Sequence, residues 1–406
     1  MLKRIPLQDV RLGMYLHSLE GAWLNHPFWR TRFLIDDPEV LTKLHAANVE
    51  GVWIDVSKGK DVADPAGGLP KAAPPTVPAG PQAAPVQAPA APADTCTLQD
   101  ELARAKVLFE HSRGQMESMF NEARLGRVVS NEACQQLVGD ITDSVFRQSQ
   151  ALLSLARIKT ADDYTYMHSV AVCALMVALG RELGLDRADC EAAGNAGLFH
   201  DLGKAQMPLA VLNKPGKLTD AEFAIIKTHP QAGYDLMVQT EGAPPRTLDV
   251  VLHHHEKFDG SGYPHGLAGE AISPFARMGA ICDVYDAITS NRCYKPGWDP
   301  AESIARMASW QGHFDPVIFK AFVKSLGIYP VGSLVRLRSG RLAVVAQVFP
   351  EALTKPLVKA FYSTSGNMPI AVREMDLRRS NDHIVGREQP EAWGFKNLDA
   401  IWQGTV

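Results

Sequence analysis

The sequence predicts a mainly α protein: a helical bundle with a small α/β module ahead of it and a small β-rich module behind it. Three observations lead there. From Thr97 to Ser290 apolar residues fall repeatedly on stripes at helical spacing. Residues 62–95 are dominated by Ala and Pro with little charge, a composition that cannot bury a core. Beyond Tyr329-Pro330 the texture changes to short runs at strand spacing, broken by turn residues. The domain plan is therefore 1–61, 62–95, 96–328 and 329–406 within 406 residues.

In the first segment Asp36-Asp37-Pro38 starts a helix that runs to about Asn48, with a capping carboxylate and a proline in the first turn. Val52–Val56 reads as a strand. Trp23, Phe28, Trp29, Phe33 and Trp53 read as the core of this small module in preference to a ligand groove. The Ala/Pro segment is a tether, spanning on the order of 100 Å if fully extended.

Thr97 to about Lys159 is helical, with Gly114, Gly126 and Gly139 as its few breakers. A helix from about Thr165 to Leu183 places His168, Val172, Leu175 and Leu179 on one core-facing stripe. Periodicity alone makes His168 a hydrogen-bonded core residue. The next helix, about Glu191 to Gly203, carries Gly194, Ala196 and Gly197, small residues that let another backbone approach. His200 and Asp201 are adjacent, diverging by about 100° on a helix, so they flank one site or bridge two ions. Lys204 lies one turn beyond His200, either near that site or as a solvated helix end.

Thr219 to Glu222 is a capping box opening a helix with Phe223 and Ile226, whose face His229 shares. Pro230 makes His229 a helix boundary. In the helix at 249–256 periodicity leaves open which two of His253, His254 and His255 point inward, although His255 shares a stripe with Leu248 and Val251. A glycine-rich loop, Gly260–Gly266, follows. On the next helix Gly279, Asp283, Asp286 and Ser290 form a small, acidic stripe, and Met278, Ile281, Cys282, Tyr285 and Thr289 an apolar one. Buried acids need partners; a metal suits Asp283, with Asp286 standing behind it. Strands are expected at Leu334–Arg338 and Arg341–Val348, around Ser339-Gly340, and at Leu357–Ser363 and Ile370–Asp376. Arg336, Arg338, Arg341 and Lys359 there decorate a solvated face.

A net charge of −4, with 46% apolar and 21% charged residues, gives no argument for nucleic acid as a partner. The six cysteines, at 96, 134, 173, 190, 282 and 293, show no C-x-x-C spacing and read as reduced thiols. The first ten residues lack the apolar core of a signal peptide, and the longest apolar run, Val170 to Gly180, is too short to span a bilayer. A cytoplasmic protein without a membrane span is expected.

Three stretches carry the chemistry: Gly197-Leu198-Phe199-His200-Asp201-Leu202-Gly203-Lys204, His253-His254-His255-Glu256-Lys257-Phe258-Asp259-Gly260-Ser261-Gly262-Tyr263-Pro264, and Ile281-Cys282-Asp283-Val284-Tyr285-Asp286. Clustered imidazoles with carboxylates are the main sequence sign of a catalytic metal site. In this order they resemble the HD-GYP subset of the HD-domain metal-dependent phosphohydrolases over roughly residues 125–325. Residues 1–61 are similar to an uncharacterised module found ahead of such domains, on Gly13-Met14-Tyr15, Trp23, Pro27-Phe28, Ile54-Asp55 and Lys58-Gly59. The resemblance implies an HD-type bundle with His168, His200, Asp201, His229, His254, His255 and Asp283 as metal ligands. It leaves His253 and Asp286 in support. It implies that Gly262, Tyr263 and Pro264 form a substrate rim or a contact for a protein partner, and that Arg292 and Lys295 contact substrate phosphates. The implied substrate is cyclic di-GMP, opened to pGpG and onward, slowly, to GMP.

Five histidines and two aspartates exceed what one tetrahedral zinc uses. They suit two ions about 3.5–4 Å apart, with Asp201 as the bridge and a metal-bridging hydroxide as the attacking group. Iron or manganese fits these ligands, as do nickel and zinc. Lys204 is placed to stabilise charge gathering on the phosphate. Rival readings are a phosphohydrolase of another nucleotide or cyclic dinucleotide, and a cyclic di-GMP receptor of weak activity; a homodimer is left open. Some HD-GYP proteins carry a glutamate one turn before the first ligand histidine that helps hold a third ion. Here Tyr164 stands at that position, with Asp162 and Asp163 out of phase, so two ions are predicted.

Overall fold

The computed structural model describes residues 2–19, 33–35, 38, 41, 51–60, 98–127, 131–156, 164–214, 216–239, 243–290, 297–395 and 397–404. The expected tether, Trp23, Phe28 and Trp29, most of the helix at 36–48, Asp162, Asp163, Arg292 and Lys295 lie outside the described residues. The chain divides into two units, Met1–Thr95 and Cys96–Val406.

In the first unit four strands, β1 (Leu2–Pro6), β2 (Tyr15–Leu19), β3 (Phe33–Leu34) and β4 (Gly51–Asp55), form an antiparallel sheet ordered β1-β4-β2-β3. Strand alternation turns Val52 and Ile54 inward with Ile5, Leu16, Met14, Val10 and Ile35. The same alternation puts Trp53 on the opposite face, 37% exposed. It is not the core residue its aromatic character suggests.

The second unit opens with α1 (Leu98–Arg124) and α2 (Asn131–Ala156). Of the three breakers expected over 97–159, only Gly126 interrupts the run, taking φ +68° just after α1, whereas Gly114 and Gly139 lie inside α1 and α2. Next comes α3 (Tyr164–Glu182), buried at every residue from Met167 to Leu179, which makes it the central helix of the bundle. Around it stand α2, α4 (Arg187–Phe199), α9 (Pro274–Thr289) and α11 (Pro316–Leu326). Between these lie α5 (Leu209–Leu212), α6 (Asp220–Ile226), α7 (His229–Val238), α8 (Pro245–His253) and α10 (Pro300–Ser309). Local chemistry sets many starts. Ser273, Asp299 and Asp315 each cap a helix with a side-chain oxygen, ahead of a proline in the first turn.

Behind the bundle β5 (Leu334–Leu337), β6 (Arg341–Gln347), β7 (Leu357–Ser363), β8 (Met368–Asp376) and β9 (Ile384–Arg387) form an antiparallel sheet ordered β8-β7-β6-β5-β9. Two short helices follow, α12 (Pro390–Trp393) and α13 (Leu398–Gln403), the latter burying Trp402 in the sheet's core. Leu102 of α1 packs on that core, and Arg387 donates to the Ala301 carbonyl at 2.7 Å. No helix of the described residues is long and apolar enough to cross a membrane.

Candidate metal centre

The HD doublet does not ride on a regular helix. The α-helix ends at Phe199, Asp186 having started it four residues before the expected Glu191 by accepting from Asp189 N. His200 keeps helical angles, Asp201 leaves them at φ −100°, ψ 8°, and Leu202–Gln206 continues as a 3₁₀ turn. This end of the regular helix, instead of a 100° helical step, sets how the two side chains diverge. This turn meets the start of α7 at Gly203, where a Cβ would lie 1.9 Å from the His229 carbonyl oxygen. Glycine is thus required there, and the close approach brings His229 Nε2 to 3.2 Å from Asp201 Oδ1. His229 opens a new helix, with Pro230 in its first turn, where the sequence suggested the end of the preceding one.

Four of the five site histidines are oriented from behind. His200 Nδ1 donates to Gly197 O at 2.7 Å, His229 Nδ1 to Ile226 O at 2.7 Å, and His254 Nδ1 to Val250 O at 3.0 Å. His168 Nδ1 donates to Asp286 Oδ2 at 2.6 Å. A neutral imidazole has one N–H, so each Nε2 is left with a lone pair aimed into the centre. There His168 Nε2 and His200 Nε2 stand 3.2 Å apart, and His229 Nε2 and His254 Nε2 3.3 Å apart. His168 Nε2 also faces Asp283 Oδ1 at 3.0 Å, and His255 Nδ1 faces Asp283 Oδ2 at 3.7 Å.

The donors fall into two groups: Asp201, His229, His254 and His255, and His168, His200 and Asp283. Within each group the ligand atoms lie within 4.8 Å of one another. Asp201 spans both. Its Oδ1 lies 3.2 Å from His229 and 3.8 Å from His254, and its Oδ2 lies 3.3 Å from His200 and 3.5 Å from His168. Facing lone pairs repel unless a cation sits among them. Asp201 Oδ1 is also buried and accepts no hydrogen bond, a costly state for a carboxylate oxygen. The residues therefore fit divalent ions.

The electrostatics agree. Burial alone would raise Asp201 and Asp283, yet both are held well below the usual carboxylate range, Asp201 by the Lys204 ammonium and His200, Asp283 by His168 and His255. Burial pushes His254 well down, and pushes His255 down to about 3 against the pull of Asp283. His168 is the exception: burial would lower it, but Asp283 and Asp286 outweigh burial and leave it raised, which favours the protonated ring over the neutral one.

Lys204 is not a free helix end: it sits in the 3₁₀ turn and its Nζ donates to Asp201 Oδ2. His253 turns away from the centre, its Nδ1 against Asp249 at 2.8 Å and its Nε2 against His265 at 3.1 Å. The Gly-Tyr-Pro loop closes over the ligands instead. Tyr263 stacks on His255, ring centroids 4.7 Å apart and planes at 28°, and Tyr263 N donates to His255 O at 3.2 Å. A Cβ at Gly262 would lie 2.3 Å from Lys257 N, so the loop can fold back only at a glycine. Pro264 follows through a cis peptide.

Sequence reasoning missed what anchors this loop. Glu256, 2% exposed, accepts from His265 N at 2.7 Å and Leu267 N at 3.1 Å. Its signal was present, an acid directly after the histidines. Lys227 was also missed, with its ammonium 5.4 Å from the Tyr263 ring centroid and 4.9 Å from that of Phe223.

Comparisons with known proteins give the setting. An HD-domain profile matches residues 141–318, and a domain of unknown function, DUF3391, matches residues 2–134. A cyclic di-GMP phosphodiesterase of Pseudomonas aeruginosa is 51% identical over 408 residues, covering 100% of this chain and 96% of that protein. A cyclic di-GMP phosphodiesterase response regulator of Xanthomonas campestris is 37% identical over 47% of this chain and 51% of its own length. A 3′3′-cGAMP-specific phosphodiesterase of Vibrio cholerae is 34% identical over 41% of this chain and 36% of its own. Among solved structures, an HD-GYP-like protein of Bdellovibrio bacteriovorus aligns at 17% identity and TM-score 0.47, over 79% of this chain and 98% of that one.

Proposed function

Because this chain belongs to the HD-GYP family of HD-domain phosphodiesterases, we propose that it opens cyclic di-GMP by hydrolysing one phosphodiester bond, with linear pGpG as the product. The observation that supports this most is the Asp201 carboxylate, whose two oxygens face two separate sets of ligand atoms. Two divalent ions held there, iron or manganese by ligand type and nickel or zinc as alternatives, would supply Lewis-acid activation of the attacking water and of a phosphoryl oxygen.

The chain's own residues do the rest. Backbone carbonyls and Asp286 hold the ligand imidazoles in one tautomer and orientation. Lys204, 22% exposed at its side chain, keeps Asp201 ionised and sets an ammonium beside the reacting phosphate. Tyr263 shields His255 and shapes the rim of the cleft with Gly262 and Pro264, and the loop's outer surface is where a protein partner would bind. One water adds across a P–O bond, leaving a phosphate on one end and a hydroxyl on the other. Arg292 and Lys295 are assigned to the substrate phosphates.

Tyr164 begins α3 one turn before His168, and a neutral phenol, with an ordinary pKa near 10, is a poor ligand for a divalent cation. The count is therefore two ions, and the reaction stops mainly at pGpG. The 3′3′-cGAMP-specific relative favours one second reading, a different cyclic dinucleotide as substrate. The deciding experiment is anaerobic purification with metal analysis, then product chromatography with cyclic di-GMP, 3′3′-cGAMP and a mononucleotide. Two ions per chain with pGpG accumulating is the expected result. Absent turnover of cyclic di-GMP overturns the substrate, and three tightly bound ions or rapid conversion to GMP overturn the two-ion count.

A further inference from the structure

Phe223 and Lys227 stand four residues apart, on the last turns of α6 and its cap. Phe223 is 44% exposed, and the Lys227 ammonium lies 4.9 Å from its ring centroid. The same ammonium lies 5.4 Å from the Tyr263 ring, which stacks on the ligand His255. A cation between two rings is thus held one ring away from the metal centre. Among the described residues Lys227 pairs with no carboxylate, although Glu222 of the same helix pairs with Lys214 at 2.7 Å.

An exposed aromatic face beside an ammonium that pairs with no carboxylate among the described residues has the chemistry of a nucleobase holder. Bases of every kind stack on an aromatic ring, and the ring therefore gives affinity without choice. The ammonium is selective, because guanine offers two adjacent acceptors, O6 and N7, where adenine offers N7 beside an N6 donor. We infer that Phe223 and Lys227 form a guanine subsite beside the metal centre, Phe223 stacking on the base and Lys227 donating to its O6 and N7. The inference rests on the cyclic-dinucleotide reading given above. It makes Lys227 a specificity-determining residue for that reaction.

The test measures inhibition constants of cyclic di-GMP and cyclic di-AMP against hydrolysis of bis(p-nitrophenyl) phosphate by the metal-loaded full chain. The preference is the ratio of the two constants. Lys227→Met is expected to lower that preference by about 10–100-fold, the discrimination carried by one good bidentate contact to a base. Lys227→Arg, which keeps paired donors, retains it. Phe223→Ala weakens both dinucleotides alike and leaves the preference standing. A preference unchanged in Lys227→Met overturns the inference, including the case where both affinities fall together, as a phosphate-binding or purely structural lysine would give. Wild-type protein that binds the two dinucleotides equally overturns it as well. Wild-type protein that prefers cyclic di-GMP but does not hydrolyse it sinks the activity and leaves the subsite supported.

Discussion

What an imidazole can do in this protein is decided by what its other nitrogen touches. His200, His229 and His254 give their Nδ1 protons to backbone carbonyls, but His168 gives its proton to the Asp286 side chain, which mutation can remove. Asp286→Ala should lower metal affinity about 10–100-fold, as loss of a ligand's supporting partner does. Metal titration followed by a competing chelator checks this, and an unchanged affinity would show that packing alone holds His168. Lys204→Ala should keep the metals and lose roughly 10²–10³ in kcat, the usual cost of one electrostatic donor. A rate within about threefold of wild type would reduce Lys204 to a counter-charge for Asp201. All seven residues the structure brings together were named as candidates from the sequence, but His168, His254 and His255 through the family resemblance, since a histidine on an apolar stripe reads by itself as a hydrogen-bonded core residue. Which of the three consecutive histidines face inward was not legible from periodicity. The helix ends at His253, so His254 and His255 lie where the regular helical step no longer applies.

Elements whose signals are local were readable, and those set by distant contacts were not. The Thr219–Glu222 capping box forms as its spacing requires, with Thr219 N donating to Glu222 at 2.7 Å. The break between α4 and the 3₁₀ turn depends on the contact of Gly203 with His229, 26 residues away in sequence, which no local pattern announces. Gly203→Ala should push α7 off the turn, cost about 1–3 kcal/mol through overpacking, and withdraw His229 from Asp201. The expected readout is a lowered thermal midpoint together with reduced metal content; normal loading would mean that the turn relaxes without moving the ligand. The packed helices also hold thiols. Burial pushes Cys134 and Cys190 up to about 11. Their folded pKa values exceed those of the unfolded chain, about 8.5, so the stability they contribute is complete below that value. It is lost as pH rises from there to about 11. The thermal midpoint should therefore fall over that window, and less steeply in Cys190→Ala; equal slopes would remove Cys190 from the cause.

At the scale of the molecule, the bundle and the C-terminal sheet share one unit, with Leu102 of α1 packed on the sheet's core and Arg387 of β9 bonded to α10. The first four strands of this sheet were legible from alternation and turn residues. β9 was not, since a four-residue run stabilised by pairing with β5 has little pattern of its own. Deleting residues 1–95 should leave a soluble, metal-loaded and active chain, because the second unit closes its own core. Recovery of that truncation as insoluble or metal-free protein would mean that the first unit completes it. The candidate ligand atoms come from segments far apart in the chain, His168 and Asp283 being 115 positions apart in sequence and His229 and His254 25 apart. An ion gripping such distant points ties the chain into large loops, and a loop closed in the folded state alone weighs against the disordered ensemble much as a covalent crosslink would. The lifetime of this protein in a cell would then follow the supply of free transition metal, with starvation thinning its population through unfolding and proteolysis before any substrate is met.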